Sequence, residues 1–162
     1  MKAIVQDRYG SADVLQLREV EQPEIGDDEV LVRVHAGGVD RGVWHLMTGV
    51  PYLMRVIGFG FRAPKDPIRG TDFAGRVEVV GKDVASVRVG DEVFGECNGS
   101  YAEYARVHQD KLASKPANLS FEQAAAVPTS AVTALQGLRD HAKVQPGQRV
   151  LVIGASGGVG TF

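Results

Sequence analysis

Glycine punctuation constrains this chain more than any other feature. Twenty of its 162 residues are glycine, most of them before Ser120, and they separate short runs rich in β-branched residues. Glycine supplies the backbone freedom that tight turns demand, so this spacing predicts many short strands rather than a layered α/β sheet. Met1 to Val5 is strand-like, and Val14 to Val20 reads as a strand. Val30, Val32 and Val34 alternate onto one face, and Val77 and Val79 share a face in the run from Gly75 to Val80. Val89 to Gly95 reads as a turn entering a strand, and Tyr101 to Val107 alternates again. Arg41 to Met47 is a short helix, and residues 49–69, with three prolines, form a long loop.

At Ser120 the character changes. Ser120-Phe121-Glu122-Gln123 fits a capping box, and Pro128 suits the first turn of a second helix, on which Ala131, Leu135 and Leu138 are spaced for one buried face. Pro146-Gly147 makes a turn before the apolar run Val150 to Ile153. Helix, turn, buried strand and glycine loop form an α/β pattern, which places a boundary near residue 120: 1–120 and 121–162. The fold begun at the end would continue past Phe162, so the piece is expected to be inactive alone. An apolar strand with open edges predicts oligomerisation, exchange of the tail, or poor order after about Pro146.

The glycine loop carries the first chemical signal. Ala155-x-Gly157-x-x-Gly160 follows an apolar strand and resembles a dinucleotide-binding turn, whose bare backbone lets a pyrophosphate reach main-chain N–H groups at a helix N-terminus. The cofactor candidates are Gly154, Ala155, Ser156, Gly157, Gly158, Val159 and Gly160. Gly154-x-Ser156-x-Gly158 also matches a hydrolase nucleophile elbow, but that triad needs an acid and a histidine after the serine, and none follows here.

Bulk properties exclude other classes. A formal charge of −2 gives no basic field for nucleic acid or anionic membrane. One cysteine, Cys97, excludes an internal disulfide and any multi-cysteine metal cage. No signal peptide and no spanning apolar run is evident, so the cytoplasm is the expected compartment.

Gly70-Thr71-Asp72-Phe73-Ala74-Gly75-Arg76-Val77-Glu78-Val79-Val80-Gly81 resembles the signature segment of medium-chain dehydrogenases/reductases, in particular the zinc-independent quinone oxidoreductase (zeta-crystallin-like) branch. Val89 to Val93, Gly99 to Tyr104, Ala124 to Thr129 and Gly157 to Gly160 match further segments of that family in order. The resemblance implies a mainly β chain: a GroES-like β-barrel followed by the truncated start of a Rossmann domain. It implies hydride transfer from NADPH, or NADH, to a quinone, enone or related carbonyl compound. It also implies a nicotinamide cofactor and a small carbonyl or quinone substrate as partners of the full-length parent; a homo-oligomer is expected from the open-edged strand, and no nucleic acid or membrane from the charge. Zinc-dependent relatives carry His-Glu where this chain has Thr71-Asp72, and a ligand cysteine near the position of Asp40. His35, His45, His108 and His141 are scattered, so no metal is expected. Catalytic candidates are Tyr52, matched to an active-site tyrosine able to donate to an enolate-like oxygen, and Asp40, which stands where relatives often have asparagine. Thr129 matches a threonine close to the nicotinamide. The competing reading is a non-catalytic GroES-like assembly module.

Overall fold

Alternating valines build the centre of the molecule. The computed structural model describes residues 1–162. In β3 (Glu29–Gly37), Val30 and Val32 are wholly buried, and they pack with Phe73, Val77, Val93, Ala105 and Val107 in one core. The strands around that core are β4 (Asp72–Val80), β5 (Glu92–Glu96), β6 (Tyr104–His108) and β7 (Leu112–Ser114). They form one antiparallel sheet in the order β6-β3-β4-β5-β7. A two-stranded ribbon of β1 (Lys2–Val5) and β2 (Gln16–Glu19) is tied to the rest by bridges from Ala3 to Ala102 and from Val5 to Ile68. The mainly β class expected from the glycine spacing is what the chain adopts. The expected strand from Val14 begins later, because Ala12–Val14 is a 3-10 turn.

One alternation pattern breaks for an identifiable reason. Leu31 faces Val79 while the next residue, Val32, faces Val77, so Glu78 is an extra residue in β4. A bulge of this kind inverts the faces beyond it. Val77 is therefore 1% exposed while Val79 is 44% exposed, and Val80 instead joins the core. The expected common face of Val77 and Val79 does not exist.

The helices sit beside the sheet. α1 (Arg41–Thr48) follows β3 and ends at Gly49, whose left-handed backbone (φ +63°) closes the helix. A kinked helical turn at Arg55–Phe59 interrupts the long loop. α2 (Phe121–Ala125) starts with the full capping box expected at Ser120 and Gln123, and its Ala124 and Ala125 pack on Ala74 of β4. α3 (Pro128–Leu135) has Pro128 in its first turn, as expected. Its expected buried face is not found, since Leu135 is half exposed and Leu138 nearly so. The buried positions of α3 are Pro128 and Ser130. The expected strand Val150 to Ile153 is also absent: the segment joins no sheet, and Leu151 and Ile153 are almost fully exposed. A β-strand needs a neighbour to take up its N–H and C=O groups, and no strand of this chain lies alongside. No helix is long and apolar enough to cross a membrane.

Candidate active site

The end of β3 runs close against α2, and this close approach opens a cleft between α1 and α3. Gly38 makes it possible: a Cβ there would lie 2.3 Å from the Ala125 carbonyl oxygen and 2.9 Å from Asp72 Cβ. The Gly38 N–H donates to the Asp72 carbonyl (2.9 Å), and its own carbonyl accepts from the Tyr101 hydroxyl (2.8 Å).

Two carboxylates line this floor. Asp40 caps α1, with one oxygen accepting from the N–H groups of Gly42 and Val43. Its other oxygen accepts from the Thr71 hydroxyl (3.1 Å). Asp72 is 2% exposed and accepts twice from Thr129, from the N–H at 3.0 Å and from the hydroxyl at 2.5 Å. Burial holds the Asp72 carboxyl above its ordinary range; the two Thr129 bonds oppose this, and the charges of Asp40 and Glu96 add to it. The Tyr101 phenol is pushed up to about 12, by burial first and then by Asp40 and Asp72. The Cys97 thiol is likewise pushed up to about 12, by burial and then Asp72. A thiol so protonated is a poor nucleophile.

The cleft measures about 600 Å³ and brings together Asp40, Thr129, Gly158 and Val159 from the sequence candidates. The turn leading into it is tightly folded. Gly154 has φ +80°, and a Cβ on Gly160 would strike the Gly154 carbonyl oxygen at 2.3 Å. The Gly157 N–H donates to the Gly154 carbonyl (2.9 Å). The N–H groups of Ala155, Ser156, Gly158, Val159 and Gly160 donate to no protein acceptor. A row of free main-chain donors on a turn that only glycine can close fits a pyrophosphate.

Tyr52 is not brought to this cleft. It is 70% exposed on the loop after α1, its ring 4.8 Å from the Arg55 guanidinium, and its hydroxyl makes no hydrogen bond. The histidines are dispersed on other duties. His35 stacks on Phe121 with ring centroids 4.3 Å apart, His45 Nδ1 meets the Val50 carbonyl (2.6 Å), and His108 Nε2 pairs with Asp28 (2.9 Å). No group of three or more His, Cys, Asp and Glu side chains is placed to hold a metal ion.

Sequence reasoning missed three residues of the floor. Thr71 and Asp72 stand in the segment that carried the resemblance, but their bonds to Asp40 and Thr129 span 31 and 57 residues and leave no local trace. Tyr101 is the third. The capping role of Asp40 did leave a signal, an aspartate directly before a helix.

Residues 26–117 match the family model described as the alcohol dehydrogenase GroES-like domain. The chain is 37% identical over 174 residues to the 2-methylene-furan-3-one reductase of Solanum lycopersicum, covering 100% of this chain and 42% of that protein. It is 37% identical over 163 residues to a quinone oxidoreductase of Sus scrofa, covering 99% of this chain and 47% of that one. Among solved structures, the Escherichia coli quinone oxidoreductase complexed with NADPH superposes with a TM-score of 0.83 at 29% identity, covering 99% of this chain and 47% of that one. The chain thus spans about half the length of these relatives. The family match over residues 26–117, with a shared fold along nearly all of its length, makes this chain a member of the alcohol dehydrogenase GroES-like domain family, within the medium-chain dehydrogenase/reductase superfamily.

Proposed function

We propose that this chain forms the barrel (1–120) and the opening of the cofactor-binding unit (121–162) of a zinc-independent, NADPH-dependent reductase of quinones, enones or related carbonyl compounds. The observation that carries this reading is the meeting of the glycine turn, through Gly158 and Val159, with Asp40 and Thr129 in one cleft. The NADPH carried by the Escherichia coli relative, and the reductase names of the other two, support it.

Ala155, Ser156, Gly158, Val159 and Gly160 would hold the pyrophosphate through their free N–H groups, on the turn that the Gly157 N–H closes. Bound there, reduced nicotinamide supplies a hydride. The Thr129 hydroxyl donates its hydrogen bond to Asp72, so toward the cleft it offers lone pairs, suited to receive an amide N–H. Asp40 has its oxygens occupied by three donors and acts as a fixed wall that orients α1 and Thr71. Tyr52 keeps its hydroxyl free but stands outside the cleft, so its proposed role as donor to the oxygen on which charge develops requires the loop that carries it to close over the substrate. Zinc independence is supported by the donor set: Asp40 already accepts from three protein donors and Asp72 from two, and no group of three or more His, Cys, Asp and Glu side chains is placed to hold a metal ion. We further expect a cytoplasmic homo-oligomer that binds neither nucleic acid nor membrane; the net charge of −2 supports the last two expectations.

Because this chain is expected to be inactive alone, the test is NADPH consumption by a full-length protein that carries it, followed by absorbance with a quinone and with an enone, before and after exhaustive chelation. Consumption unchanged by chelation is expected. No consumption with either acceptor, or a loss that zinc restores, refutes the reading.

A further inference from the structure

Away from the cleft, Arg69 is a buried cation without a partner. It is 7% exposed, its Nε is fully enclosed with no acceptor, and its side chain makes no hydrogen bond or ion pair with the protein. Its main chain is held on both sides: the N–H donates to the Ile4 carbonyl (3.1 Å), and the carbonyl accepts from the Tyr101 N–H (2.9 Å). The residue is therefore anchored in the sheet bridging and cannot drift to the surface as a loop arginine could.

The guanidinium lines a cavity of about 210 Å³ shared with Lys65, Asp66, Asn98, Phe59 and Leu46. Lys65 and Arg69 against Asp66 leave one net positive charge on this lining. Burial draws the Arg69 side chain below its ordinary value, with Asp66 and then Tyr9 acting in the opposite sense. An arginine stays charged even so. Asp66 is near enough to favour the cation but forms no ion pair with it. The enclosed Arg69 Nε–H, with no acceptor, carries a desolvation cost that an incoming acceptor would offset.

We propose that this cavity is a binding site for a small oxyanion, a carboxylate or a phosphate group, held by the planar fork of Arg69 with Lys65 as the second charge. The fork matches the two oxygens of such a group, through parallel charge-assisted hydrogen bonds. Asn98 adds a neutral side-chain donor on the same wall. None of its residues lines the cleft.

The test is a titration of the protein with inorganic phosphate and, separately, with acetate, at ionic strength held constant with sodium chloride. The readouts are the Arg69 Nε–H resonance and the melting temperature. Either anion should shift that resonance in a saturable way and raise the melting temperature. Tighter binding of phosphate would identify a phosphate site, and tighter binding of acetate a carboxylate site. Arg69→Met should abolish the response, and Lys65→Met should weaken binding about ten-fold while leaving the fold intact. If Arg69→Met does not fold, the wild-type resonance and the Lys65→Met variant still decide. An Nε–H resonance unmoved by both anions, or an equal response in either variant, overturns the proposal.

Discussion

Replacing Asp72 with alanine is the sharpest perturbation of the cleft floor. The change strips acceptors from two Thr129 donors, the N–H at 3.0 Å and the hydroxyl at 2.5 Å. A buried donor that loses a charged acceptor costs about 1.5–3 kcal/mol, and Thr129 is only partly buried, so the lower half of that range applies to each. Removing a buried carboxylate also relieves its own desolvation, which offsets part of the loss. The expected net destabilisation is about 2–3 kcal/mol. At a slope of roughly 2 kcal/mol per molar urea, the unfolding midpoint falls by about 1–1.5 M. The single tryptophan, Trp44 in α1, reports the transition by fluorescence. Asp72→Asn should cost less than about 1 kcal/mol, because the amide oxygen can take the Thr129 N–H while its NH₂ donates to a rotated hydroxyl. The two variants also separate by pH. Burial raises the folded Asp72 above its ordinary 3.8, so the folded state holds the proton more tightly than the unfolded one. The stability this contributes is full below 3.8 and is lost as pH rises through the raised value. The wild type should therefore lose ground to Asp72→Asn as pH rises through that window. An Asp72→Ala midpoint matching the wild type, or a wild-type advantage over Asp72→Asn that grows with pH, refutes the reasoning.

Other consequences are simpler. Gly38→Ala drives a Cβ to 2.3 Å from the Ala125 carbonyl oxygen, so α2 must shift, and calorimetry should record a loss of about 1–3 kcal/mol. Ultraviolet titration of the tyrosines should leave one phenol un-ionised until about pH 12, and Tyr101→Phe should remove that late step. Ser120→Ala breaks one arm of the capping box and should cost about 1 kcal/mol in urea unfolding, whereas Tyr52→Phe, whose hydroxyl has no partner, should leave stability within about 0.5 kcal/mol.

What could be read without coordinates follows the range of the interactions. The burial of Val30 and Val32 was legible because a strand writes its faces locally, two residues at a time. The capping box at Ser120 was legible for the same reason, its partners being three residues apart. The face of Val79 was not, since the bulge at Glu78 depends on which strand lies alongside. Leu135, Leu138 and Val150 to Ile153 have the pattern of buried residues, but a pattern states only what a segment could bury, and nothing in this chain covers them. In the cleft, the glycine turn and Asp40 carried local signals. The bonds from Thr71 to Asp40 and from Thr129 to Asp72 join distant segments, and the solitude of Arg69 is a property of what fails to surround it.

The central claim is that the glycine turn and the Asp40–Thr129 cleft form one nicotinamide dinucleotide site. Amide resonances recorded during an NADPH titration test it directly. The account predicts saturable shifts at Ala155 to Gly160 and at Thr129, with Lys2–Val5 and Gln16–Glu19 unmoved. Shifts confined to residues outside the cleft and the turn, or none at all under saturating NADPH, would contradict it.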